Sequence, residues 1–334
     1  RCLTYPRKAI SGSARPFAQL LRLLDLSHEA IIANEPLTKR EVFYRDVALF
    51  KSQRVVDQLL DDVTATFRLE RRDMNIRASP KGLVCGEGLT IELLCGDRIN
   101  VNTMGGTLIP VMEDVKAYHV SEGIRWVLVV EKEAVFNALC HLHLVEHPTL
   151  SAQGLLITGK GYPDMATRHL VNYLANALPQ SVPILALVDG DPHGLDILSV
   201  YKYGSQSLQH ENDKLTANRL IAIGLWTSDM QELCISLDSM LPLTLGDERK
   251  AFSMLQRTIP KKWKKELMRM VHTRRKAEIE ILLSMPRGSD TSTPSGMLRC
   301  FLIDVDTDLC DPCRAVGPLP FPFIFVASYK FFNR

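Results

Sequence analysis

Three apolar runs decide the fold: IRWVLVVE at 124–131, GLLITG at 154–159 and PILALVDGD at 183–191. Each has the look of a parallel strand covered on both faces. Helical stretches separate them, at about 133–146 and about 163–178, and another begins at about 194. This strict β-α-β-α-β alternation predicts a doubly wound parallel sheet. Right-handed crossovers place the three strand C-termini on one edge, where open α/β sheets bind ligands.

That edge carries acids. Glu131 ends the first run, Lys160 follows the second, and Asp189 and Asp191 end the third. Residues two apart on extended backbone face the same side, so Asp189 and Asp191 can reach one ion. Carboxylates without clustered His or Cys suit Mg²⁺, which takes one or two of them and keeps several waters. Such a site serves phosphate chemistry as a Lewis acid and charge clamp. The chain has no G-x-x-x-x-G-K-[ST] and no G-x-G-x-x-G, and the turn TGKGYPD at 158–164 lacks Walker spacing. Nucleotide hydrolysis and dinucleotide binding are disfavoured, and chemistry on nucleic-acid phosphate fits better.

Upstream the pattern is helical. FAQLLRLLDLSHEAII at 17–32 spaces Phe17, Leu20, Leu21 and Leu24 as one helix face. The face packs on its own domain or docks a partner. In LTKREVFYRDVALF at 37–50, Thr38 and Glu41 form a capping box, and Phe43, Val47 and Phe50 form the expected buried stripe. Tyr44 lies off that stripe with Arg40 one turn before it. A phenol needs help to act as a nucleophile at neutral pH, and Arg40 is the group in place to give it. Spacing alone does not separate Tyr44 from an ordinary helix-surface tyrosine. The helix continues or restarts through 53–69. Strand-like pieces at 81–86, 89–94 and 98–103 then suggest, with the helices, a winged helix.

The remaining features bound the answer. A chain of 334 residues with 46% hydrophobic and 23% charged residues reads as about two globular domains. The net charge of +2 places any DNA affinity in local clusters, such as the basic run 261–276, although that run reads equally as a solvated helix face. KAEIEILL at 276–283 reads as the end of that helix. Eight scattered cysteines form no disulfide framework and fit a reducing compartment. No apolar run has the length of a membrane helix. Cys140, His141, His143 and His147 are a weak zinc candidate, and Cys310 with Cys313 a weaker zinc or redox one. The first residue is Arg1 rather than Met, which reads as a fragment or an incomplete gene prediction. PRGSDTSTPSG after Met285 reads as a linker, and the tail beyond as disordered or as retained non-coding sequence read through.

Four motifs in order, REVFYRD, EKEAVF, TGKGYPDxxTR and VDGDPHG, resemble the meiotic DNA double-strand-break transesterases (the Spo11 family), relatives of the archaeal topoisomerase VI A subunit. RASPKGLV at 77–84 and RKAEIE at 275–280 look like the family too, so the resemblance runs from about 36 to 284. It implies an α/β plus α+β chain: a partner-docking helix region at 1–34, a winged-helix domain of the catabolite-activator type at 35–115, a Toprim domain at 116–284, and a divergent tail at 285–334. By motif, Tyr44 resembles the nucleophile and Arg40 its companion, and Glu131, Asp189 and Asp191 resemble the Mg²⁺ acids, Glu131 also serving as a general acid or base. Lys160 and Tyr162 resemble DNA-contacting residues, with a packing role as the other reading of Tyr162.

The implied activity is tyrosyl transesterification. It leaves 5′-phosphotyrosyl links and initiates meiotic recombination in the nucleus. The implied partners are double-stranded DNA, a second copy of the chain as a homodimer, and a topoisomerase VI B-like protein at the N-terminal helix. Each hybrid site in the family takes its tyrosine from one copy and its metal from the other, so Tyr44 and Glu131 of one chain are expected far apart. The alternatives are the A subunit of a type IIB, ATP-hydrolysing topoisomerase, a Toprim nuclease without a tyrosyl intermediate, and an inactive DNA-binding scaffold.

Overall fold

The computed structural model describes residues 14–69, 71–77, 79–146, 153–205, 212–232 and 235–284. The expectations for His147, Cys310, Cys313 and the 285–334 tail lie outside these. The chain divides into two compact units near residue 80, with 111–113 returning to the first.

The first unit is helical. It contains α1 (Ala14–Ala33), a strand stub β1 (Leu37–Thr38), α2 (Lys39–Arg45), α3 (Val47–Phe50), α4 (Gln53–Phe67) and the parallel partner stub β2 (Ile76–Arg77). Its core gathers Leu23, Leu26, Val42, Phe50, Val56, Leu60 and Ile76. The predicted single helix over 39–50 is two. Asp46 leaves helical geometry, and its carboxylate accepts from Leu49 N at 3.0 Å to cap α3. The break resets the buried face. Val42 and Phe50 are buried, Phe43 is half-buried against the core and Val47 is exposed, so the predicted stripe holds at Phe50, in part at Phe43, and fails at Val47. On α1 the buried face is Leu23, Leu26 and Ala30, and the apolar residues Phe17, Leu21, Ile31 and Ile32 stay exposed.

The second unit is built on a six-stranded mixed sheet in the order β11-β10-β8-β9-β3-β6. Its strands are β3 (Leu83–Gly86), β6 (Thr107–Leu108), β8 (Ile124–Val130), β9 (Gln153–Thr158), β10 (Ile184–Leu187) and β11 (Ile221–Gly224). The predicted β-α-β-α-β unit is present, with β8, β9 and β10 parallel and β11 added in parallel. α5 (Glu133–His141) and α6 (Met165–Ala177) make the crossovers, and α7 (Pro192–Tyr203) follows β10. Alternation along β8 explains the continuous apolar run. Val127 and Val129 face one core with Leu170, Leu195 and Leu198, and Leu128 and Val130 face another with Val135, Phe136 and Leu139.

β3 and β6 join this sheet antiparallel, and β4 (Leu89–Leu93), β5 (Arg98–Asn100) and β7 (Val115–Val120) form a separate three-stranded sheet. The sequence reading attached the strands at 81–103 to the N-terminal helices as a winged helix. They pair within the second unit instead, because β3 finds its ladder on the open edge of β9.

Short helices α8 (Asn212–Leu215) and α9 (Asp229–Glu232) flank β11. Strand β12 (Leu241–Pro242) precedes α10 (Leu245–Leu255) and α11 (Lys261–Thr273). The chain then leaves helical geometry. Arg274 takes a left-handed conformation, β13 (Arg275–Lys276) pairs with β12, Ala277 bridges to Gly190, and α12 (Ile281–Ser284) follows. The helix expected over 276–283 is therefore present only from Ile281, and residues 275–280 form a strap of strand and turn.

Gly154 is fixed by packing. A Cβ there would lie 2.0 Å from the Trp126 ring. Gly154→Ala is expected to lower the unfolding free energy in urea by ~1–3 kcal/mol through overpacking. Gly246→Ala, whose nearest neighbour would be Thr244 Oγ1 at 3.6 Å, is expected to leave it within ~1 kcal/mol of the parent.

Candidate metal centre and tyrosine helix

The strand order places a topological switch point between β8 and β10. The chain leaves β8 toward β9 on one side and leaves β10 toward β11 on the other. Glu131 and Asp189 stand just beyond those two strand ends, and both are buried. Asp189 N donates to Glu131 Oε2 at 2.8 Å, which locks the two residues together. Ile279 N, from the strap, donates to Asp189 Oδ1 at 2.8 Å. Gly190 N donates to Ala277 O at 2.8 Å.

The DGDPHG turn has local reasons for its sequence. Asp191 caps α7, accepting from Gly194 N at 2.7 Å, and Pro192 takes the first helical position. A Cβ at Gly194 would lie 2.3 Å from Asp189 O, so only glycine lets the helix start this close to the acid.

Both buried carboxyls are held well above the ordinary carboxylate range. For Glu131 the causes are burial and then the charge of Asp189, with Asp191 adding to it. For Asp189 they are burial and the charge of Asp191, partly offset by Ile279 N–H and by Lys132. A divalent cation would relieve this repulsion. The donors are hard carboxylate oxygens, and Glu131 Oε1 and Asp191 Oδ2 accept no hydrogen bond from the described residues. Among the described residues no three His, Cys, Asp or Glu side chains form a ready-made metal cage. A Mg²⁺ ion that uses one or two carboxylates and keeps its waters fits such a pair.

Lys132, Glu278 and Glu280 contribute to this edge and are not marked by the strand-end pattern. Lys132 Nζ reaches Glu280 at 2.6 Å, Asp189 at 3.2 Å and Glu278 at 3.3 Å. RKAEIE carried the signal, but it read as helix rather than as the strap behind Asp189. Asp196 on α7 was missed as well.

The GYPD turn adjoins the acids, with Gly161 N donating to Glu131 O at 2.9 Å. Lys160 is ion-paired with Glu133 at 2.9 Å. Tyr162 is 41% exposed, and its hydroxyl donates to Asp196 Oδ2 at 2.8 Å. Burial and that bond push its phenol upward. Lys250 also sits on Asp196, and Arg257 binds its other oxygen at 2.8 Å. Tyr162 is thus braced rather than core-packed.

The zinc reading does not hold for its described members. Cys140 is buried against Cys85, His141 bonds Asn137 O at 2.6 Å, and His143 faces Glu146 at 3.7 Å. The three side chains do not converge.

In the first unit, Tyr44 is 70% exposed near the end of α2. The predicted capping box is present: Glu41 N donates to Thr38 Oγ1 at 3.1 Å, and Thr38 N donates to Glu41. Tyr44's ring leans on Phe43 with centroids 5.3 Å apart. Lys39 is paired with Asp57 at 3.1 Å and Arg45 with Glu29 at 3.4 Å. Arg40 is exposed and makes no ion pair within the described residues. Of the helix's three cations it is the one open to an anion.

Comparison with known proteins extends this picture. The family model for the Toprim domain of the topoisomerase 6 A subunit/Spo11 matches residues 126–288, which contain the whole acid edge. The model "Type IIB DNA topoisomerase" matches residues 15–76, which contain Tyr44. The Toprim fold is generally a metal-binding domain. The human meiotic recombination protein SPO11 is 35% identical over 286 residues, covering 84% of this chain and 70% of that protein. The fission-yeast meiotic recombination protein rec12 is 36% identical over 277 residues, covering 80% of this chain and 74% of that protein. The A subunit of DNA topoisomerase 6 from Arabidopsis thaliana is 34% identical over 287 residues, covering 82% of this chain and 65% of that protein. With a topoisomerase-type helical unit bearing Tyr44 and a Toprim unit bearing the acids, the chain belongs to the family of Spo11 and the topoisomerase VI A subunit.

Proposed function

We propose that the chain forms meiotic DNA double-strand breaks in the nucleus by Mg²⁺-dependent tyrosyl transesterification. The observation that carries this reading is the buried Glu131–Asp189 pair at the switch point, crowded enough to want a divalent cation. Tyr44, exposed one helical turn after Arg40, which has no ion pair among the described residues, supplies a nucleophile. The helical unit that bears it would act as the DNA-binding domain.

Tyr44 Oη attacks the phosphorus of a DNA phosphodiester, and its proton passes to solvent or to Glu131. The P–O3′ bond breaks, the 3′ oxygen leaves as a hydroxyl after taking up a proton, and a 5′-phosphotyrosyl link remains. Arg40 grips the non-bridging oxygens. Glu131 and Asp189, with Asp191, would hold Mg²⁺, which when bound stabilises charge on the phosphate and on the leaving oxygen. Lys160 and Tyr162 would contact the DNA backbone beside the acids. One tyrosine cuts one strand, so a double-strand break takes two copies, each site combining one copy's Tyr44 with the other's acids. The exposed apolar face Phe17, Leu21 and Ile31 of α1 would seat a topoisomerase VI B-like partner.

A topoisomerase VI role is the second reading, favoured by the 34% identity to the Arabidopsis topoisomerase chain. The chemistry is shared. Resealing of the break with an ATPase partner would distinguish it.

Two measurements test the proposal. Mg²⁺ is expected to raise the thermal midpoint of the metal-free protein by a few degrees, because an ion bound only to the folded state stabilises it. Glu131→Gln and Asp189→Asn should each abolish that gain, and a gain retained in both variants would remove the acid pair as the metal site. The second is a covalent trap: the protein with its B-like partner, supercoiled DNA and Mg²⁺ is denatured and assayed for protein-linked 5′ ends. Linked DNA is expected for the parent, with at least ~100-fold less for Tyr44→Phe and Asp189→Ala. Cleavage that survives Tyr44→Phe with free 5′-phosphate ends would establish a Toprim nuclease instead.

A further inference from the structure

Lys132 stands in an unusual place for a cation. It follows the buried acid Glu131 directly in sequence, and its side chain is 23% exposed. Its ammonium is shared among three carboxylates, at 2.6 Å from Glu280, 3.2 Å from Asp189 and 3.3 Å from Glu278. The two oxygens of Asp189 are used differently. Oδ1 accepts the Ile279 amide, a bond fixed by the strap, and Oδ2 faces Lys132. Oδ2 is therefore the oxygen left for a metal ion, and the ammonium rests on it. Glu278 and Glu280 lie on either side of Ile279, so the strap that fixes Oδ1 also holds the two carboxylates that can receive Lys132 when it leaves Oδ2.

We propose that Lys132 is a tethered competitor for the divalent cation at Asp189. Without metal it neutralises Oδ2 and lets the crowded acids coexist. When a divalent ion arrives it withdraws to Glu278 and Glu280. Lys132 is a positioning residue that weakens the site's metal affinity by the fraction of time it occupies Oδ2. The inference rests on the reading of Glu131 and Asp189 as the metal acids.

Mn²⁺ binding to the full chain, followed by the electron paramagnetic resonance signal of the free ion, separates the possibilities. Lys132→Met should bind Mn²⁺ about tenfold tighter than the parent, a change of about 1.4 kcal/mol. Lys132→Arg, which keeps the charge, should bind within about twofold of the parent. Glu280→Gln removes the nearest receiving carboxylate and should weaken binding several-fold. A residue with a merely structural role would weaken binding in both the Lys132→Met and the Glu280→Gln variants. Unchanged or weaker binding in Lys132→Met overturns the proposal, as does unchanged or tighter binding in Glu280→Gln, which serves alone if Lys132→Met does not fold. Glu131→Gln tests the metal-acid reading separately. If it binds Mn²⁺ like the parent, the metal-site assignment fails, whatever Lys132 does.

Discussion

The 2.8 Å bond from Asp189 N to Glu131 Oε2 joins the ends of two parallel strands at the point where the sheet reverses its winding. It forces two acids into one buried corner, where burial and mutual repulsion oppose ionisation. Much of the second unit is organised around that conflict. The strap fixes one oxygen of Asp189, Lys132 covers the other, and α7 starts close to the acids because Gly194 has no side chain. A protein seeking stability alone would not bury crowded carboxylates at the end of its central strands. The arrangement makes sense as a site whose remaining charge comes from outside.

The same corner explains the neighbouring turn. Lys160 and Tyr162 are held by Glu133 and Asp196 beside the acids, and Lys250 and Arg257 balance Asp196 from the far side. Positive and polar groups thus surround an acidic centre, which suits a polyanionic ligand bound through a cation. The unit with Tyr44 has a different logic: a short, capped helix presents an exposed phenol and, in Arg40, a cation with no ion pair among the described residues.

Strands β8, β9 and β10 were legible because they are covered on both faces, and continuous apolar runs record that directly in the sequence. The acids were legible because they sit at the ends of those runs. Tyr44 was not legible from spacing, since an exposed helix tyrosine leaves no pattern; only the likeness to a family singled it out. The helix at 39–50 misled because Asp46 reads as an ordinary surface residue until its capping bond is seen. RKAEIE misled more seriously. Its charge alternation fits a helix face, and its non-helical path is imposed by tertiary bonds to Asp189 and Gly190. The strands at 81–103 were read as strands correctly, but β3 pairs with β9, far along the chain, which local pattern does not encode.

In the proposed reaction, Tyr44 and the Glu131–Asp189 pair are two halves of one centre, brought together by two copies of the chain. Mixing differently tagged Tyr44→Phe and Glu131→Gln chains tests it most directly. Each variant alone should form no covalent DNA adduct. The mixture should regain one competent site in each mixed dimer, and single-strand nicks should appear with DNA linked only to the Glu131→Gln chain. A mixture as inactive as its components would show that the tyrosine and the acids do not combine between copies.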